Sequence, residues 1–141
     1  MNTILSVRGG FPISVYAQGD VCNCAAYSQR AQQVGDPLNG FTRAREQWFN
    51  TAAFVQPAAG GFGNSGHNIL TGPNSRTVSL SVFRAIRLGE RARLQFRSEF
   101  FNFLNRANFG EPGSTVRSTS YGVINSAADP RIIQFALKLQ F

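Results

Sequence analysis

The chain has 141 residues, a net charge of +7, 13 Phe, 14 Gly and only 15% charged residues. Lysine occurs once, at Lys138, so arginine carries nearly all the positive charge. These arginines alternate with apolar residues instead of lining a helical face, which argues against a nucleic-acid-binding module. No stretch approaches the roughly 20 consecutive apolar residues of a membrane-spanning helix.

The first candidate strand covers residues 3–16. Leu5, Val7, Phe11, Ile13 and Val15 share one face, and Ser6, Arg8, Ser14 and Tyr16 share the other. The Gly9-Gly10 pair and Pro12 interrupt it. Residues 17–75 follow as a long linker rich in Gly, Ser, Asn and Pro. Within it Cys22 and Cys24 stand one residue apart, either as a local disulfide or as two free thiols. The only histidine, His67, is remote from them and joins no nucleophile motif, and the glycines around Gly60–Gly66 precede no helix. No catalytic residue, metal site or cofactor site is therefore expected, and the chain does not read as an enzyme. Trp48 and Phe49 are expected to pack a folded loop rather than to hold a ligand.

A second strand spans 77–88, where Val78, Leu80, Val82, Ile86 and Leu88 alternate with Thr77, Ser79, Ser81 and Arg87. Arg84 breaks the apolar face near one end, where it can snorkel to an interface. After Gly89-Glu90 a third strand spans 92–102, with Ala92, Leu94, Phe96, Ser98 and Phe100 set against Arg91, Arg93, Gln95, Arg97 and Glu99. A two-residue turn would mix apolar and polar faces throughout this hairpin. The turn should therefore hold three residues and pair Leu88 with Ala92, Ile86 with Leu94 and Leu80 with Phe100. Residues 105–129 form a second long linker. Asp129-Pro130 opens the last strand, 131–141, whose Ile133, Phe135, Leu137, Leu139 and Phe141 lie on one face.

Strands near 11 residues, one tight turn and two long connections fit an all-β, antiparallel meander of about four transmembrane strands. This is a partial outer-membrane β-barrel with short periplasmic turns and long extracellular loops. The arginines Arg87, Arg91, Arg93 and Arg97 then form a basic column facing the lumen. That column either attracts anionic substrates, meets acidic residues of a plug, or is the ordinary polar interior of a barrel, with Glu99 on the same face. Residues Met1 to Val7 lack the basic start and apolar core of a secretory signal, so an outer-membrane destination implies a true N-terminus upstream of Met1.

The row Ile133, Phe135, Leu137, Leu139 and Phe141 resembles the terminal signal read by the outer-membrane barrel-assembly machinery, through pairing of an exposed strand edge. Four further blocks carry a wider resemblance. They are Trp48–Phe54 with Gly63–Gly66 and Gly72-Pro73; Arg87–Arg97; Phe101–Asn105 with Asn108–Gly110; and Asp129–Lys138. In order and spacing they are similar to the C-terminal barrel strands of Oar-like TonB-dependent receptors, the type that carries a carboxypeptidase-regulatory-like domain. The Cys22–Cys24 segment has no counterpart in that pattern.

The resemblance implies a barrel of about 22 strands closed around a plug, with energy delivered through TonB. It also implies that residues 1–141 are the C-terminal part of such a receptor and cannot transport alone. The implied partners are outer-membrane lipid, the barrel-assembly machinery, the missing upstream barrel and plug, and the TonB complex through the missing N-terminal part. No nucleic acid is among them. Two other readings stay open: a four-strand protomer of an oligomeric outer-membrane anchor, and a soluble basic binding module.

Overall fold

The computed structural model describes residues 1–26, 28–40 and 43–141; Tyr27, Phe41 and Thr42, which fall in the linker 17–75, lie outside the described residues. The described strands are β1 (Asn2–Arg8), β2 (Pro12–Ile13), β3 (Gln32–Gln33), β4 (Phe54–Val55), β5 (Leu70–Thr71), β6 (Ser75–Leu88), β7 (Ala92–Phe101) and β8 (Ile132–Gln140). A single 3₁₀ turn, Thr51–Ala53, is the described helical element. No helix among the described residues is long and apolar enough to cross a membrane. The protein is all-β and antiparallel, and its chain divides into two compact units.

The first unit holds Met1–Gly9, Asn74–Asn108 and Ala127–Phe141. Its four long strands form one sheet in the order β1-β6-β7-β8, each antiparallel to the next. The register follows from the period-two pattern, because a slip of one residue would set polar side chains beside apolar ones, Arg93 beside Ile86 or Leu88 in the hairpin and Leu5 beside Thr77 or Ser79 at β1. Leu88 lies opposite Ala92, Ile86 opposite Leu94 and Leu80 opposite Phe100, as face matching requires. Gly89-Glu90-Arg91 makes the three-residue turn, and Gly89 takes a φ of +78°, which an L side chain rarely adopts. The sheet is not closed: β1 and β8 each lack a second neighbour among the described residues.

The strands expected over 77–88 and 131–141 are observed within two residues of those bounds, as Ser75–Leu88 and Ile132–Gln140; the first and third expected strands end early for identifiable reasons. The strand expected over 3–16 ends at Arg8, and Pro12–Ile13 joins β5 in the other unit. The break is chemical, since Gly10 lies so close to Gly72 that a Cβ there would meet the Gly72 carbonyl at 1.9 Å. At the far end of β7, Asn102 leaves the ladder with a φ of +48°, a left-handed conformation that asparagine tolerates better than most residues.

The second unit holds Gly10–Pro73 and Phe109–Ser126, which correspond to most of the two expected linkers. It is not featureless loop. Ile13, Val15, Ala31, Phe49, Ala53, Phe54, Leu70 and Val116 form a buried core, with Trp48, Ile69 and Tyr121 packed against it. Phe49 meets Phe54 and Tyr121 edge-on, at ring-centroid distances of 6.1 and 5.4 Å. The two segments are stitched through Tyr16, whose N–H donates to the Ser114 carbonyl and whose carbonyl accepts from Val116 N–H, both at 2.9 Å. Trp48 Nε1–H donates to the Thr71 carbonyl at 2.8 Å, so the indole packs the unit as its polar handle requires.

Candidate functional site

The four-stranded sheet has two chemically distinct faces. On one, Leu5, Val78, Leu80, Val82, Ile86 and Leu88 adjoin Leu94, Phe96 and Phe100, and these adjoin Ile133, Phe135, Leu137 and Leu139 across the ladders. Many of these side chains are uncovered: Leu5 is 67% exposed, Phe135 66%, Leu137 66% and Leu139 54%. Phe96 and Phe135 stack with centroids 6.1 Å apart, which makes a continuous aromatic and aliphatic surface. An exposed apolar band across four strands is unstable in water and suits contact with lipid. Ser98 is a small polar member of this face. It is buried opposite Val82 and Phe135, and its hydroxyl has no hydrogen-bond partner. Arg84 also belongs to this face, opposite Phe96.

The other face carries Ser79, Ser81, Phe83, Ala85 and Arg87 on β6, and Arg93, Gln95, Arg97, Glu99 and Phe101 on β7. Gln134, Ala136, Lys138 and Gln140 continue it on β8. Of the four arginines singled out in the sequence, Arg97 pairs with Glu99, which also accepts from the Ser81 hydroxyl. Arg87 and Arg93 stand directly opposite each other. Arg91 lies in the turn, one residue before β7 begins, so the ladder does not fix its side. Arg87, Arg91 and Arg93 nonetheless surround one hollow of about 550 Å³, with Glu90 and Gln140 on its wall. The face is not uniformly polar, since toward the opposite end Ile4, Phe101 and Ile132 lie on it.

The proposed assembly row, Ile133, Phe135, Leu137, Leu139 and Phe141, lies at the free-edge strand and immediately after it. All five side chains are exposed, Phe141 at 98%.

Three asparagines do structural work that alternation does not reveal. Asn102 Nδ2–H donates to the carbonyls of Arg106 and Asp129, and its Oδ1 accepts from Arg106 N–H. Asn105 Oδ1 accepts from Arg131 N–H, and Asn108 Oδ1 accepts from Arg76 N–H. The three side chains thus fix the end of β7, the approach to β8 and the start of β6. Their spacing of three residues within Phe101–Phe109 was the available signal, and it became legible only once the partners were placed.

In the second unit Cys22 and Cys24 form a disulfide. Asp20 organises the turn around it by accepting from the N–H groups of Cys24 and Ala25 and from Gln29 Nε2–H. The Cys24 N–H, with these other donors, holds the Asp20 carboxyl below its ordinary range despite an opposing effect of burial. Burial pushes the Tyr121 phenol upward. His67 is exposed, and Gly63 admits no side chain because a Cβ would meet the Arg30 carbonyl at 2.0 Å.

An antiparallel sheet with one exposed apolar face, one polar face and two open edges defines a wall segment of a membrane-spanning β-barrel. Residues 1–134 match the family model described as an outer membrane beta barrel domain, so the chain belongs to that family and its place is the outer membrane. No curated protein and no solved structure matches it.

Proposed function

We propose that this chain supplies the C-terminal barrel strands of a TonB-dependent receptor of the Oar-like type, an active transporter in the outer membrane of a Gram-negative cell. The observation that carries this reading is the open sheet. Four strands with two unpaired edges leave backbone donors and acceptors without partners, and in lipid each such group costs several kcal/mol. Further strands must close the wall. Family membership supports a barrel, and the ordered blocks from Trp48 to Lys138 support the receptor type. In this reading the Gly89–Arg91 turn is periplasmic, the second unit is extracellular, and transport energy reaches the receptor through TonB acting on parts beyond these strands. The assembly machinery would read the row from Ile133 to Phe141.

The test is the assembled species. Native mass spectrometry and single-particle imaging of the protein extracted from outer membranes should show one barrel of about 22 strands around a plug. Three identical chains of four strands each would instead establish an oligomeric anchor and overturn the receptor reading.

A further inference from the structure

We infer that Arg87, Arg91 and Arg93 form a binding site for one small, multiply charged oxyanion, of the phosphate or polycarboxylate class, on the polar face of the sheet at its hairpin end. The inference rests on membership of the barrel family and not on the receptor reading.

Like charges directly opposite in an antiparallel ladder are destabilising, and Arg87 faces Arg93 in that way. Neither has a carboxylate partner: the ion pairs among the described residues are Arg45–Glu46 and Arg97–Glu99. Arg91 is unpaired as well, and the two lining residues that carry a carboxylate, Glu90 on its side chain and Phe141 at its chain terminus, make no ion pair there. Arg97, two residues along the same face, shows that compensation is available to this strand. The excess charge is therefore local, and it is concentrated where the three arginines line a hollow of about 550 Å³.

Facing Cβ atoms in such a ladder are about 5 Å apart, so two planar guanidinium forks can close on one anion. The Gln140 amide on the same wall offers neutral donors beside them. Arg87 and Arg93 lie on the face opposite the apolar band of Leu94 and Leu137, which favours a dissolved anion over the phosphate of a lipid headgroup.

The experiment uses the protein in its assembled form, extracted from outer membranes in non-ionic detergent, with inorganic pyrophosphate and citrate as probes in calorimetric titrations at low ionic strength. At least one probe should bind saturably. The double variant Arg87→Gln/Arg93→Gln should weaken binding about tenfold or more, through loss of charge-assisted hydrogen bonds. Arg97→Gln should change it by less than about twofold, because its charge is already paired with Glu99. No saturable binding, or equal losses in both variants, would overturn the site.

Thermal unfolding without anion adds a readout of opposite sign for the competing case. Relief of repulsion should raise the melting temperature of Arg93→Gln. A fall would show that an acidic side chain of the assembled protein already occupies the site, which also overturns the proposal. Should the double variant fail to assemble, Arg91→Gln, which lies outside the ladder, carries the same test: the probe's affinity should drop, and an unchanged affinity would refute the site.

Discussion

In the sheet, Leu5, Phe135 and Leu137 are about two-thirds exposed, whereas in the loop-built unit Phe49 and Val15 are fully buried. Both regions come from one chain and use the same apolar residue types. The sheet turns them outward in alternating rows, while the second unit gathers them into a core without any regular period. The difference shows two solvents at work. A face that meets lipid needs no protein cover, whereas a unit built from loops must bury its own apolar groups against each other.

The largest test of this comparison exchanges the environments. Phe49→Ala should destabilise the second unit by about 3–5 kcal/mol, the usual cost of emptying a core aromatic site. The aromatic near-ultraviolet signal of that unit should fade while heat-modifiable gel mobility, which reports the barrel, persists. Leu137→Arg should do the reverse and cost about 2–4 kcal/mol near the bilayer midplane. In water, at a site 66% exposed, the same arginine would be close to neutral. A Leu137→Arg protein as stable as its parent would therefore mean that this face does not meet lipid.

The next test concerns how the sheet is fastened at the end where Asn102 and Asn108 are buried. Asn102→Ala removes donors from the Arg106 and Asp129 carbonyls and should cost about 1–3 kcal/mol. Asn105→Ala touches only the Arg131 N–H and should cost less. Barrel unfolding midpoints in urea should rank the two variants in that order. Equal midpoints would show that Asn102 is a passive left-handed residue and not a clamp.

How much of this was legible in the sequence depended on the solvent each region meets. Strands with one lipid face write their register into the chain, so Leu88 opposite Ala92 and Leu80 opposite Phe100 could be placed from face matching alone. The loop unit left no such trace, because Ile13, Ala31, Phe49, Leu70 and Val116 converge from distant positions with no common period. The expected strand over 3–16 shows the limit: its alternation continues through Ile13 and Val15, yet Gly10 carries the chain out of the sheet, and those two side chains enter a different core. The basic column was legible as a face, but its division into a paired Arg97 and an unpaired Arg87–Arg93 couple depended on cross-strand neighbours.

A smaller contrast separates Ser98 from the rest of the apolar face. Its buried hydroxyl has no partner, so Ser98→Ala should stabilise the sheet by about 1 kcal/mol, provided that no new cavity forms. In the loop unit the Cys22–Cys24 disulfide closes a very short loop, for which chain entropy gives less than about 2 kcal/mol. Cys22→Ser/Cys24→Ser should shift unfolding of the second unit slightly and leave the barrel midpoint unchanged. A drop in the barrel midpoint would mean that the two regions do not unfold separately.

The smallest effect expected is a pH dependence confined to the turn around Asp20. In the folded protein its carboxylate accepts from the N–H groups of Cys24 and Ala25 and from Gln29 Nε2–H, and these bonds hold its pKa below the ordinary aspartate value of about 3.9. Because the folded value is depressed, the contribution is present in full above that ordinary value. It is lost as the pH falls through the depressed one, where protonation removes the charge that the three donors stabilise. Between pH 7 and pH 5 the turn should therefore be unaffected, and loosening should begin only in more acidic solution. Amide resonances of Cys24 and Ala25, followed by NMR in micelles, would report it directly. In Asp20→Asn the acid-dependent change should vanish, while the amide side chain keeps one acceptor in place. A transition of these amides centred between pH 5 and pH 7 would point to a different titrating group. A transition that persists in Asp20→Asn would show that the barrel or the whole unit, and not this turn, responds to acid.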